Sequence, residues 1–430
     1  MKIIQITPGA GGDFYCDNCL RDNALALELR RRGHDALMVP LYLPMAADSP
    51  DAGRGSPIFF GGINVYLQQK LAIFRKTPRW LDRLLDSPRL LARVARRAAM
   101  TRPADLGEMT LSMLRGEEGR QVKELDRLVT WLAEHERPDL VCLSNALLLG
   151  MARRIKSALG VPLVCMLQDE DAFLDAMPEP YRGQAWDLLR ARAAEIDRFI
   201  AVSRHYREVM CRRLGLPPER VAAVHIGVSA TGFEPASPPQ PPVIGYTARL
   251  CGAKGLDTLV EAFLALKREP ATAGLRLKIT GMETIDDREF VAGIRRRIAK
   301  GGAAADVEFL PALDRPSRQA FLRTVSLVAV PARESEAFGL FVIEALASGV
   351  PVVLTRIGSY PELVERGGGV LIEPDDPRAL AAAIRGLVAD PERARQAGAA
   401  GRKAVIEHFN VERMAGDIVS VFEQVVSSHI

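Results

Sequence analysis

Residues 232–242, GFEPASPPQPP, hold five prolines. Such a run suits neither a helix interior nor a central strand, so it reads as a stiff, extended connection. It cuts the 430-residue chain into two halves, and each half alternates short apolar strands with helical stretches. That alternation predicts parallel sheets wrapped by helices, twice over. The length agrees, being too great for one ordinary core and about right for two or three. Strands are predicted at 2–6, 36–41, 140–143, 162–167, 199–202 and 221–225 in the first half. In the second they fall at 243–248, 275–281, 307–311, 326–330 and 351–354. Helices are predicted at 18–32, 106–136, 339–348 and 411–427, and further strands flank Gly61-Gly62 at 58–60 and 63–67.

The chemistry concentrates in 331–353, PARESEAFGLFVIEALASGVPVV. Glu336 and Glu344 stand with seven residues between them, around Phe338, Gly339 and Leu340. Gly339 opens a helix whose first N–H groups have no intrahelical partner and carry the positive end of its dipole. Without a Cβ it also lets a ligand approach the backbone. Glu336 lies in the loop facing that point. Glu344 is expected about two turns into the helix, on a face left uncrowded by Ala345 and Ala347. A carboxylate accepts two hydroxyl hydrogens at once, which fits a sugar ring or a ribose diol. The plainer reading is an amphipathic helix with Glu336 as a solvated capping acid. Earlier in this half, RLCGAKG places Arg249 and Lys254 at a strand end, a fork and a mobile point charge suited to a diphosphate.

The first strand ends in a glycine loop, TPGAGGDF. Gly9 and Gly11 begin a dinucleotide fingerprint, but Phe14 stands where its third glycine belongs. Cys16 and Cys19 form a CxxC without the second ligand pair that structural zinc needs; a redox pair or two small packed residues remain open. Asp169-Glu-Asp171 spells DxD, too short a pattern to imply a metal. Residues 74–103 carry nine Arg or Lys against two Asp. They read as a basic amphipathic helix, for an anionic lipid surface or packed inward with solvated arginines. A net charge of +4 on 110 charged residues gives no argument for nucleic acid. No apolar run approaches a bilayer span, and Ile3-Ile-Gln-Ile is too short for a signal peptide. Six cysteines without a dense framework suit a reducing cytosol.

The E-x7-E pattern around FG, followed by EALASGVPVV, resembles the donor-sugar motif of retaining glycosyltransferases of family 4. The resemblance implies a GT-B fold: two doubly wound Rossmann-like domains facing a central cleft. It divides the chain into 1–235, with a basic helical insertion at about 70–136, then 236–410, then a C-terminal helix at 411–430 returning to the first domain. It implies transfer of a sugar from a UDP- or GDP-sugar to a hydroxyl acceptor (glycan, lipid-linked or small molecule) with anomeric retention and no metal cofactor. Glu336 would contact the sugar, Glu344 the ribose, and Arg249 and Lys254 the phosphates. Gly11, Gly12, Gly281 and the Phe338-Gly339-Leu340 turn complete the donor side, and 307–311 supplies backbone to the base. The YCDNCLRDN segment resembles a bacterial subgroup and offers Asp17, Arg21, Asp22 and Asn23 on the acceptor side, with Gln168 and Asp169. Three departures stand out: Ala337 for glycine, Gln168 for histidine, and Ser359 for a glycine in 355–362. A cytoplasmic enzyme follows, in peripheral membrane contact if 75–103 binds lipid. A nucleotide-sugar isomerase of the same fold and a non-catalytic sugar-nucleotide-binding protein are the alternatives.

Overall fold

The computed structural model describes residues 1–8, 17–42, 59–60, 68–69 and 106–429, with residues 17–20 as backbone only. Gly11, Gly12, Cys16, the strands predicted at 58–60 and 63–67 and the basic stretch 74–103 therefore fall wholly or largely outside it, as do the side chains of Asp17 and Cys19.

The described residues form two six-stranded parallel sheets. The first contains β1 (Lys2–Thr7), β2 (Asp35–Pro40), β3 (Leu140–Leu143), β4 (Leu163–Leu167), β5 (Arg198–Ala201) and β6 (Val221–Ala223), in the order β2-β1-β3-β4-β5-β6. The second contains β7 (Val243–Thr247), β8 (Arg276–Thr280), β9 (Val307–Phe309), β10 (Leu327–Val330), β11 (Val352–Thr355) and β12 (Gly369–Ile372), in the order β12-β11-β10-β7-β8-β9. Strands such as LVCML at 163–167 and LVAV at 327–330 are buried at every position, as parallel strands covered by helices on both faces must be. Local chemistry ends the helices as the sequence suggests. Gly160 and Gly215 close theirs at φ of 63° and 66°, and Ser203 opens one by accepting from the Tyr206 N–H.

By contacts the chain divides into Met1–His225 with Val411–Ile430, and Ile226–Asn410. The second unit thus begins ten residues before the boundary expected from the proline run. The reason is that 228–234 is bonded into that unit. Arg315 donates to the Ser229 carbonyl and Gln319 to that of Thr231. Arg402 donates to the Phe233 carbonyl and pairs with Glu234. The last helix, Val411–His429, groups with the first unit. It buries Met414, Ile418 and Phe422, its Glu412 carbonyl accepts from Arg32, and His429 meets the Gly160 carbonyl at 3.0 Å. No helix among the described residues is long and apolar enough to cross a membrane.

The single helix predicted at 106–136 is broken. It runs as Gly107–Arg115, a tight turn Gly116–Glu118, Val122–Trp131 and a wider final turn Leu132–Glu136. Gly116 takes φ 62° and ψ −115°, a conformation that ends a helix. The break also lets two backbones meet: a Cβ on Gly116 would sit 1.9 Å from the Gly150 oxygen, and one on Gly150 would sit 2.0 Å from the Met113 oxygen. Gly150→Ala should therefore destabilise the first unit by about 1–3 kcal/mol through overpacking, read as a lower urea midpoint with an unchanged slope.

Candidate active site

In the second sheet the strand order reverses between β7 and β10, which pair in register Leu327 with Ile244 and Val328 with Gly245. Crossovers leave that pair in opposite directions, so the loops after β7 and β10 diverge and open a crevice at the carboxyl edge, where ligands bind in such sheets. The loop after β7 carries Arg249 and Lys254. The loop after β10 carries Glu336. The sequence separates these groups by more than eighty residues, and the topology brings them together.

Backbone packing fixes the two loops. Gly255 takes φ 70°, and a Cβ there would lie 1.8 Å from the Pro331 oxygen. Arg333 N donates to the Ala253 carbonyl at 2.8 Å. Lys254 then pairs directly with the Glu336 carboxylate. Arg249 leans to the other side. Its Nε and Nη2 bond the two Asp287 oxygens at 2.9 and 3.1 Å, and Nη2 also reaches Thr284 Oγ1 at 3.1 Å. Thr284 and Asp287 form a reciprocal capping box that holds the acceptor still. Gly281 permits this turn: at φ 153°, its Cβ would meet the Ala248 oxygen at 1.7 Å.

Gly339 opens the helix Leu340–Ala347 in the left-handed region, φ 95°. Phe338 is buried, 2% exposed, with its ring edge-on to that of Phe409. Ser359, the departure from glycine, is absorbed here: its hydroxyl donates to the Phe338 carbonyl and its N–H to that of Glu336. Neighbouring Gly358 lies so close that a Cβ would reach the Glu336 nitrogen at 2.5 Å.

Glu344 corrects the sequence reading. It stands about one turn into the helix rather than two, because the helix begins at Leu340. The face beside it is not open but filled by Arg318, whose Nε and Nη2 each bond a carboxylate oxygen at 2.9 Å. Both residues are buried. Each oxygen keeps a further lone pair, so the fork orients the carboxylate without exhausting it.

The first unit holds a second polar cluster, at the carboxyl ends of β3 and β4. Arg21 is fully enclosed, bonding Asp22 at 2.7 Å, Gln168 Oε1 at 2.7 Å and the Ser144 carbonyl at 2.8 Å. Gln168 therefore acts as a non-titrating acceptor for Arg21. Glu170 takes N–H groups from Ala146 and Gln168 and the Tyr206 hydroxyl. Burial pushes the Glu170 carboxyl up, against the pull of those donors. Arg21 and Asp22, expected on the acceptor side, are interior, and Asn23 is buried too. Asp169 differs: it is exposed, in left-handed backbone at φ 60°. No group of three or more His, Cys, Asp or Glu suited to a metal occurs among the described residues.

Residues 230–404 match the Glycosyl transferases group 1 family model, and 107–231 match that of Glycosyltransferase Family 4. The chain carries both of these glycosyltransferase domains. Similar curated proteins include D-inositol 3-phosphate glycosyltransferase of Segniliparus rotundus, 31% identical over 57% of this chain and 58% of that one. A lipopolysaccharide core biosynthesis mannosyltransferase of Rhizobium meliloti is 30% identical over 46% and 54%. The matched stretch thus spans little more than half of these relatives' length. Among solved structures, sucrose-phosphate synthase from Thermosynechococcus elongatus superposes with a TM-score of 0.70 at 18% identity over 100% of both chains. Anabaena HepE in complex with UDP gives 0.68 at 18%, over 99% and 100%. At that identity the likeness is one of fold, and the fold is GT-B.

Within the group 1 domain the sequence reading missed three residues. Asp287 orients Arg249, Arg318 orients Glu344, and Arg333 forks onto Asp257 at 2.7 and 2.9 Å. Only Arg333 sits inside the motif stretch; Asp287 could have been found from its Thr-x-x-Asp capping pattern, while Arg318 lies in a helix that points to no partner by sequence. Burial raises the Asp257 and Asp287 carboxyls, but the Arg333 and Arg249 guanidiniums outweigh it and leave both below the ordinary value.

Two outcomes follow from these pairs. Arg318→Met strands a buried carboxylate and should cost about 3–5 kcal/mol in denaturant unfolding, whereas adding Glu344→Leu should recover most of the loss. Carboxyls with depressed folded values stabilise fully above the ordinary Asp value of 3.8, and that stability fades as pH falls through the lower folded values. Melting temperature measured from pH 6 to 2 should fall below about pH 4, and less steeply in Asp257→Asn.

Proposed function

We propose that this chain is a retaining glycosyltransferase that moves a sugar from a nucleoside diphosphate sugar to an acceptor hydroxyl. The observation that carries the reading is that Lys254 meets Glu336 across the reversal point of the second sheet, with Arg249 on the same loop as Lys254 and the Gly339 helix start just after Glu336. All four lie inside the group 1 domain.

The reaction breaks the bond between the anomeric carbon and the diphosphate, so negative charge grows on the departing oxygens while the sugar becomes oxocarbenium-like. Charge stabilisation at that point is where fixed donors are most effective. Lys254 would exchange its Glu336 partner for a phosphate oxygen. Arg249, held by Asp287 through Nε and Nη2, has Nη1 left to direct at the other phosphate. Glu336, released from Lys254, would accept hydroxyl hydrogens of the sugar, and Glu344, steadied by Arg318, those of the ribose. None of these groups is placed as a covalent nucleophile in the proposal. The leaving phosphate would take the acceptor proton on the same face, which retains configuration. Two cations supply the positive charge, so the scheme requires no metal. UDP is the favoured nucleotide, since HepE, of the same fold, has been solved with it; GDP remains the comparison.

A thermal-shift series with UDP, GDP and ADP should show one nucleotide raising the melting temperature. With the matching sugar donor, Lys254→Ala and Glu336→Ala should each lower transfer by at least about 100-fold while the folded state persists. Wild-type rates in both variants would refute the assignment.

A further inference from the structure

Arg333 lies three residues before Glu336, and its contacts reach from its own loop to two others. Nη1 and Nη2 bond the Asp257 carboxylate, and Nη2 also bonds Thr258 Oγ1 at 2.9 Å. Nη1 further bonds the Gly252 carbonyl at 2.7 Å. Nε pairs with Asp375, a residue in left-handed backbone at φ 57° after β12. One guanidinium thus joins the loops that follow β7, β10 and β12.

This junction has a consequence for the donor site. Lys254 and Glu336 project from different loops, so their separation depends on what holds those loops. Their own ion pair cannot do so in the working state, because a diphosphate that takes Lys254 removes it. The Arg333 contacts involve no group assigned to the donor, so opening the ion pair breaks none of them. Asp257 and Thr258 lie in the first turn of the helix Leu256–Leu266, directly after Lys254 and Gly255. Fixing them fixes the root of Lys254.

We propose that Arg333 is a positioning residue that sets the Lys254-to-Glu336 geometry for the diphosphate by locking the loops after β7, β10 and β12 together. The assignment rests on the donor-site reading above. Its planar fork is the working feature: a lysine keeps the charge but offers a point donor, which cannot match both Asp257 oxygens, Thr258 and Asp375 at once. Misplacement by about 1 Å is enough to cost two orders of magnitude in a positioned reaction, so loss of the lock reaches the site without touching the ligand.

The test is calorimetric titration of UDP, with GDP in parallel, into wild type, Arg333→Lys, Arg333→Met and Lys254→Ala, each with its melting temperature recorded. Both Arg333 variants should bind the nucleotide about tenfold more weakly as folded protein, and Lys should not rescue. A lowered melting temperature with unchanged affinity would reduce Arg333 to a structural role. Rescue by Lys would show that charge alone matters. Either result overturns the proposal. If Lys254→Ala also binds like wild type, or wild type binds neither nucleotide, the donor-site reading itself falls; weak binding by Lys254→Ala with normal binding by Arg333→Met sinks the positioning role alone.

Discussion

The close approach of Gly255 to Pro331 is the constraint from which the site follows. A methyl group at residue 255 would lie 1.8 Å from the Pro331 oxygen, so the loops after β7 and β10 meet only because that position has no side chain and accepts φ 70°. With the loops in contact, Lys254 reaches Glu336 and Arg333 reaches Asp257. Gly281 and Gly358 repeat the device at the two flanks, against the Ala248 and Glu336 backbones. These three glycines are therefore places where one loop lies directly on another.

Onto that frame the domain builds opposed charges in tiers. At the crevice, Lys254 pairs with Glu336 as a point charge, and Arg249 has two of its three nitrogens engaged. Groups behind them are paired by forks, Arg318 on Glu344 and Arg333 on Asp257. A fork fixes direction as well as charge, which is the property a supporting residue needs. The tiering suits a site that must exchange its front contacts for a ligand while its back contacts stay in place.

The first unit follows another logic. Its polar cluster, built on Arg21, Asp22, Gln168, Glu170 and Tyr206, is turned inward and nearly closed. It joins the ends of β3 and β4 to two helices and leaves Asp169 displayed at the edge in left-handed backbone. Arg21, Asp22 and Gln168, which the resemblance put on the acceptor side, are bonded to one another beside the exposed Asp169.

Strand and helix alternation, the glycine and proline stops, and the Glu336 to Glu344 pattern were readable along the chain, since each depends on backbone preference or on the period of apolar residues within a few positions. These determined two parallel sheets and the candidate segments of the donor side. The break at Gly116 escaped although the polar stretch 115–121, with two glycines, interrupts the apolar period there; the contact that makes the stop necessary, the Gly150 backbone, lies more than thirty residues away. The partners of the charges escaped for the same reason. Whether Glu344 faces an open groove or a buried arginine is decided by which helix the crossovers bring alongside, and Arg21 is enclosed by the strand ends at Ser144 and Gln168. Hydrogen-bond distances are set in three dimensions, and only the tertiary fold placed Arg318, Asp287 and Asp257 within them.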